Sequence, residues 1–215
     1  MPRPNPWSLV SAAEYEAHMG PAGADELAPL SAIFSKIYAA RRPRRLAVLG
    51  VATGNGLEHV DPAITRRTVG LDVNLSYLAV ARQRFMRLGA SLELRCVDLE
   101  RAELDAGGFD LVHAALVLEH VDVRRAVARL ASWLAPAGAF SVVLQLPGGG
   151  TAPTPAASLR AVGEAMRLVP PEELRAHAAD AGLAERVAYV VRLPTGRRFF
   201  IALYERAGAP PQSPG

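Results

Sequence analysis

The chain has 215 residues, half of them hydrophobic and 21% charged, with a formal net charge of +3 at pH 7. That length suits one domain with a sizeable core, and the composition is that of a globular protein rather than a disordered or fibrous one. No apolar run approaches the roughly 18 residues of a membrane span, the single Cys96 excludes an intrachain disulfide or a cysteine-built metal site, and Met1-Pro2-Arg3-Pro4-Asn5-Pro6 lacks the apolar stretch of a secretory signal. The expectation is a cytoplasmic protein. Arginine supplies nearly all the positive charge, with Lys36 the only lysine. The arginines are spread along the chain and predict no nucleic-acid surface.

Taken in chain order, residues 1–10 are proline-rich and read as extended. Ser11 to Met19 reads as a short helix, with Ser11 and Glu14 spaced as a capping box. Tyr15, His18 and Met19 then share one face, which either packs on the domain or serves as a lid. Asp25 to Ala40 reads as an amphipathic helix, with Leu27, Leu30, Ile33, Phe34, Ile37 and Tyr38 at helical spacing. Arg41-Arg42-Pro43-Arg44-Arg45 reads as a solvated turn. Leu46–Leu49 is a buried strand that runs into Gly50-Val51-Ala52-Thr53-Gly54-Asn55-Gly56, and Leu57-Glu58-His59-Val60 opens a helix that Asp61-Pro62 interrupts. Strand, glycine turn and helix together make a nucleotide cradle, because glycines allow close backbone approach and a helix start offers free N–H groups.

Strand two is 68–72. The helix after it spans 75–88, with Leu75, Leu78, Ala79, Arg82, Phe85 and Met86 facing inward. Strand three is 92–97 and closes with Asp98. Strand four is 109–114, a helix covers 123–134, Ala135-Pro136-Ala137-Gly138 turns, and strand five is 139–145. The continuous apolar character of strands one, four and five predicts burial on both faces, as in a parallel sheet. Pro147 to Pro155 reads as a loop, 158–168 as a helix, and Pro170 to Gly182 as another. Two β-rich runs, 184–193 and 197–206, join at Pro194-Thr195-Gly196 as a hairpin.

The order of these elements resembles the class I S-adenosylmethionine-dependent methyltransferases of the small-molecule type. The implied fold is α/β: a Rossmann-like three-layer sandwich whose seven-stranded, mostly parallel sheet ends in a C-terminal antiparallel hairpin. The implied organisation is an N-terminal lid segment over 1–24, the methyltransferase domain over 25–206, and a disordered tail over 207–215. The implied cofactor is S-adenosyl-L-methionine. Gly50, Ala52, Thr53, Gly54 and Asn55 resemble the family's first motif, with two departures: Ala52 replaces a glycine, and Val48 stands where the first strand often has an acid. A loop carbonyl would then hold the cofactor's ammonium.

Asp72, followed by Val73, matches the carboxylate that accepts bonds from the ribose hydroxyls, although a helix cap near Asn74 is the plainer reading. Asp98 and Leu99 match the adenine contact. Phe109 to Val121 resembles the fourth-strand motif, which places His113 and Ala114 at the ligand-binding end of the sheet, with Glu119 and His120 following. Tyr15 belongs to a segment that resembles N-terminal lids of some relatives.

Methyl transfer is an in-line displacement in which the protein mainly positions the acceptor. His18, Glu119 and His120 are the candidate catalytic residues. The chain has no Asn/Asp-Pro-Pro-Tyr/Phe tetrapeptide after strand four, no Pro-Cys pair, and no His/acid cluster for a metal. A small-molecule acceptor is favoured, with no nucleic acid, no membrane, and a monomer or homodimer expected. A non-catalytic cofactor-binding or sensing domain remains the alternative. A nicotinamide-dependent oxidoreductase fits less well, because Gly50-x-Ala52-x-x-Asn55 lacks two glycines of its motif.

Overall fold

The computed structural model describes residues 5–148 and 157–208. Most of the expected loop over 147–155, the expected tail from 209 onward and residues 1–4 lie outside these. Seven strands form one sheet in the order β3-β2-β1-β4-β5-β7-β6. They are β1 (Arg45–Leu49), β2 (Arg67–Asp72), β3 (Leu92–Cys96), β4 (Phe109–Ala115), β5 (Leu134–Gln145), β6 (Leu183–Arg192) and β7 (Arg198–Arg206). β1 to β5 run parallel, β7 pairs antiparallel with β5, and β6 pairs antiparallel with β7.

The helices are α1 (Ala12–Met19), α2 (Leu27–Arg41), α3 (Leu75–Arg84), α4 (Val123–Trp133), α5 (Ala157–Ala165) and α6 (Pro171–Asp180). α4 and α6 cover one sheet face, where Leu130 and Leu174 join Leu49, Val112, Phe140 and Ala202 in one apolar cluster. α2 and α3 cover the other face, where Phe34, Tyr38, Leu78 and Phe85 pack on Leu46, Val48 and Leu111. This is the three-layer sandwich expected from the sequence. Among the described residues no helix is long and apolar enough to cross a membrane.

Local chemistry explains the element ends. The capping box at Ser11 and Glu14 starts α1. Asp110 accepts the N–H groups of Arg44 and Arg45, each at 2.8 Å, and so staples the start of β4 to the start of β1. The β6–β7 turn is closed by Leu193 N–H donating to the Arg197 carbonyl at 2.8 Å and Gly196 N–H to Leu193 at 2.9 Å.

Four expectations need correction. Residues 6–9 form a 3₁₀ turn rather than extended chain, capped by the Asn5 side chain. The segment after the glycine turn is a single 3₁₀ turn, Leu57–His59, and not a helix. Asp61-Pro62 follows too closely for a helix to propagate, so the glycine turn has no α-helical N-terminus behind it. Ala135–Gly138 is not a turn before β5 but part of it: Leu134 pairs with Phe109, and an irregularity intervenes before Ala139 pairs with Leu111. The inner face of α3 is Tyr77, Leu78 and Ala81, continued by Phe85 and Leu88 in the 3₁₀ segment that follows. Leu75 and Met86, expected inside, are 70% and 72% exposed. Both phases fit a helical apolar pattern, and the tyrosine at 77 decides between them.

Asn74 links two parts of the chain. Its Oδ1 accepts from Ser76 N–H at 2.9 Å, capping α3, while its Nδ2 donates to the Trp7 and Val10 carbonyls at 2.8 and 2.7 Å. Asn74→Ser retains a capping oxygen but removes both amide donors. We expect it to cost about 1–3 kcal/mol in chemical unfolding and to accelerate hydrogen exchange selectively over residues 5–19. Unchanged exchange there would show that other contacts hold the segment.

Candidate functional site

The carboxyl ends of β1 to β5 converge on one cavity of about 300 Å³. It lies where strand order reverses between β1 and β4, the crevice at which open α/β sheets bind ligands. Gly50 and Ala52 after β1, Asp72 and Val73 at the end of β2, and Asp98 and Leu99 after β3 form its floor. Ala115, Leu116, His120 and Gln145 wall it. Trp7, Tyr15, His18 and Met19 from the N-terminal segment, with Leu159, Val162 and Met166 from the α5 region, lie over it. The cover is largely aromatic: Tyr77 meets Tyr15 at 5.0 Å between ring centroids, Tyr15 meets Trp7 at 6.1 Å, and Trp7 meets the His120 ring edge-on at 5.3 Å.

Asp72 organises the floor. Its Oδ2 accepts Ala52 N–H and its Oδ1 accepts Asn74 N–H, both at 2.8 Å. Burial holds its pKa above the usual carboxylate value, while the N–H groups of Asn74, Ala52 and Val73 oppose that shift. The cap of α3 is Asn74, not Asp72. Asp98 accepts Glu100 N–H at 2.9 Å and still borders the cavity. Ala52 (φ +47°) and Leu116 (φ +53°) hold left-handed backbone, and both line the cavity. Such residues cost of order 1–3 kcal/mol and collect at ligand-binding sites.

The other expected site residues lie elsewhere. Thr53, Gly54 and Asn55 fall behind the turn, in a separate pocket with Leu27 and Phe85. Asn55 donates to the Leu27 carbonyl at 3.0 Å, and a side chain on Gly54 would collide with the Phe85 ring. These residues dock the turn under α2 and against α3. His113 and Ala114 were expected at the mouth, but β4 runs on to Ala115 and neither residue lines the cavity. His113 is buried, with Nδ1 2.7 Å from Ser141 Oγ and its ring against Phe34, and burial lowers its pKa to about 4.

Glu119 and His120 diverge. Glu119 is 2% exposed and outside the cavity. Its Oε1 accepts Gln145 N–H at 2.8 Å, its Oε2 has no partner, and burial raises its pKa to about 7. His120 faces the cavity, and burial lowers its pKa to about 4. His18 also faces it, its pKa lowered by burial and then by Arg197.

Sequence reasoning missed Glu26, Asn74, Tyr77, Gln145 and Arg197. Glu26 and Arg197 form a buried ion pair in the cavity wall. No local pattern announces a contact between residues so far apart in sequence. Only Asn74 carried a signal, as a cap residue at the helix start. Among the described residues no three His, Cys, Asp or Glu side chains group as a metal site.

Residues 48–138 match the model of a family described as a methyltransferase domain. No curated protein matches by sequence. Solved structures do match in fold. The [4+2]-cyclase SpnF is 16% identical, with 83% of this chain and 81% of that one covered and a TM-score of 0.66. A geranyl diphosphate C-methyltransferase from Streptomyces coelicolor A3(2), solved with Mg2+, geranyl diphosphate and S-adenosyl-L-homocysteine, is 12% identical, with coverage of 86% and 83% and a TM-score of 0.66. A phosphoethanolamine N-methyltransferase from Haemonchus contortus, solved with phosphomonomethylethanolamine and S-adenosylhomocysteine, is 15% identical with a TM-score of 0.68, covering 91% of this chain and 57% of that one.

The Glu119 carboxyl gives the site a pH signature. Its folded pKa of about 7 exceeds the ordinary 4.5, so the native state binds the extra proton and stability falls as pH rises from about 4.5 to 7. Glu119→Gln removes that penalty. The variant should be more stable than the parent at pH 8, by an amount on the order of 2–3 kcal/mol, and nearly equal to it near pH 5. Denaturant melts at the two pH values check this.

Proposed function

We propose that this chain, which resembles the class I S-adenosylmethionine-dependent methyltransferases in its fold and its methyltransferase-domain match, moves a methyl group from that cofactor to a small-molecule acceptor. One observation carries the reading: a single cavity joins Gly50 and Ala52 to Asp72 and Asp98 at the ends of successive strands. The residues fit the group. Gly50 and Ala52 present backbone with almost no side chain. Asp72 offers its carboxylate to the ribose hydroxyls, Val73 lies beside it, and Asp98 with Leu99 serves the adenine. Bound S-adenosylmethionine supplies an electrophilic sulfonium methyl for in-line displacement.

The protein's part is position and exclusion of water. Tyr15, Trp7 and the α5 residues Leu159 and Val162 cover the cavity with apolar surface, which favours an acceptor with an apolar body. Residues 1–24 then serve as the lid, of which 5–24 are described, and 25–206 as the catalytic domain of a cytoplasmic enzyme. His120, neutral at pH 7, is placed to take a proton from the acceptor, and His18 is the second such group. Glu119 stays in the core, where it positions Gln145 through the backbone and touches no substrate. Thr53, Gly54, Asn55, His113 and Ala114 support the site from behind.

A second reading, a cofactor-holding chain that transfers no methyl group, draws on Val48 and Ala52, the departures in the first motif, and on the similarity to a cyclase.

Calorimetry with S-adenosylhomocysteine and NAD, followed by turnover of S-adenosylmethionine against a panel of metabolites, decides among these. We expect binding of S-adenosylhomocysteine only, a loss of about 1–3 kcal/mol in Asp72→Ala, and turnover with a small acceptor. Binding of NAD alone would overturn the reading, and cofactor binding with no turnover would favour the second.

A further inference from the structure

The first strand lacks the acid expected to hold the cofactor's ammonium, since Val48 is apolar and 5% exposed. The cavity contains a replacement. Among its described lining residues the carboxylates are Glu26, Asp72 and Asp98, and the permanent cation is Arg197. Asp72 and Asp98 stand at the ends of β2 and β3, and both oxygens of Asp72 already accept backbone N–H groups. Glu26 and Arg197 are 2% and 9% exposed and joined through Glu26 Oε1 and an Arg197 terminal nitrogen. A buried ion pair gains little stability over an apolar pair of similar volume. One set into the wall of a ligand cavity therefore calls for a reason other than stability.

Glu26 is held beside the glycine turn, and Arg197 reaches it from the β6–β7 hairpin. Glu26 N–H donates to the Met19 carbonyl at 2.9 Å, and the Glu26 carbonyl accepts from Leu30 at 3.0 Å, so its backbone is fixed at the start of α2. The next residue, Leu27, takes the Asn55 side chain from within the turn at 3.0 Å. Arg197 is fixed by the β6–β7 hairpin, its carbonyl accepting Leu193 N–H. A guanidinium presents five donors and can serve more than one anion.

From this arrangement we propose that Glu26 and Arg197 together bind the amino-acid end of the cofactor, Glu26 holding the α-ammonium and Arg197 the α-carboxylate. The proposal rests on the cofactor reading above. The ligand's zwitterion and the protein's ion pair then alternate in sign around four centres, so neither protein charge is left unpaired with ligand absent or present. His18, beside Arg197 and neutral at pH 7, adds no competing charge.

The test compares S-adenosylhomocysteine with methylthioadenosine, which keeps the adenosine and thioether but lacks the amino-acid end. Titration calorimetry on the full chain covers the parent, Glu26→Gln, Arg197→Gln and the double variant, which leaves no lone buried charge to unfold the protein. Each variant should lose about 10- to 100-fold in S-adenosylhomocysteine affinity while methylthioadenosine affinity holds, and the double variant should lose most of the parent's preference between the two ligands. Equal losses for both ligands, or no loss for S-adenosylhomocysteine, would overturn the assignment. So would intact cofactor affinity with lost turnover, which would give the pair to the acceptor instead. A parent protein that binds neither ligand would refute the cofactor reading itself, a result distinct from these.

Discussion

Two hydrogen bonds accepted by one buried carboxylate set the geometry on which the rest of the site depends. Asp72 takes Ala52 N–H with one oxygen and Asn74 N–H with the other. The first bond fixes the turn after β1 against the end of β2. The second fixes Asn74, whose side chain caps α3 and holds the Trp7 and Val10 carbonyls. Floor and cover are thus referenced to a single group. Burying a carboxylate is costly unless donors replace the lost water, and here backbone N–H groups do so. Because those donors belong to the turn and to the helix start, the same bonds that satisfy Asp72 also shape the cavity.

This constraint bears directly on Ala52 in the first motif. The turn must enter left-handed backbone at residue 52 for its N–H to reach Asp72, and alanine accepts that conformation at moderate cost while keeping a small side chain at the cavity edge. Leu116 makes a similar concession on the opposite wall, its N–H held by the Val143 carbonyl at 2.9 Å. The charge distribution is just as ordered. Acids line the floor at Asp72 and Asp98, a compensated pair sits at Glu26 and Arg197, and the two histidines facing the cavity are neutral at pH 7. Among the described lining residues a cationic sulfonium compound meets no uncompensated positive charge.

What the sequence showed and what it hid follow from the range of the interactions. The sheet order, the closing hairpin and the positions of Asp72 and Asp98 were legible because strand ends and glycine turns are local signals. The phase of α3 was misread because two apolar templates overlapped on Leu78 and Phe85. His113 reads as a mouth residue because β4 runs one residue further than the pattern suggests; it lies two residues deeper than Ala115 on the same strand face, in the core against Phe34. The Glu26–Arg197 pair was invisible because an ion pair between α2 and the β6–β7 turn exists only once the sheet has brought β7 beside β5.

The floor and the cover differ in how firmly they are held. The floor rests on parallel strands, of which β1, β2 and β4 are almost wholly buried. The cover brings together two segments distant in sequence, residues 5–19 and α5, through few polar links: Ser158 to Glu14 at 3.2 Å between the two and, to α3 and its cap, Glu16 to Arg84 at 2.8 Å with the two bonds from Asn74. Segments with few buried polar links open at lower free energy than the core around them. The aromatic contacts among Tyr77, Tyr15, Trp7 and His120 give the cover its apolar surface, and they place the cavity-facing histidine in direct contact with it. The cover over the cavity and the burial that lowers the His120 pKa therefore share one packing interaction, Trp7 on His120.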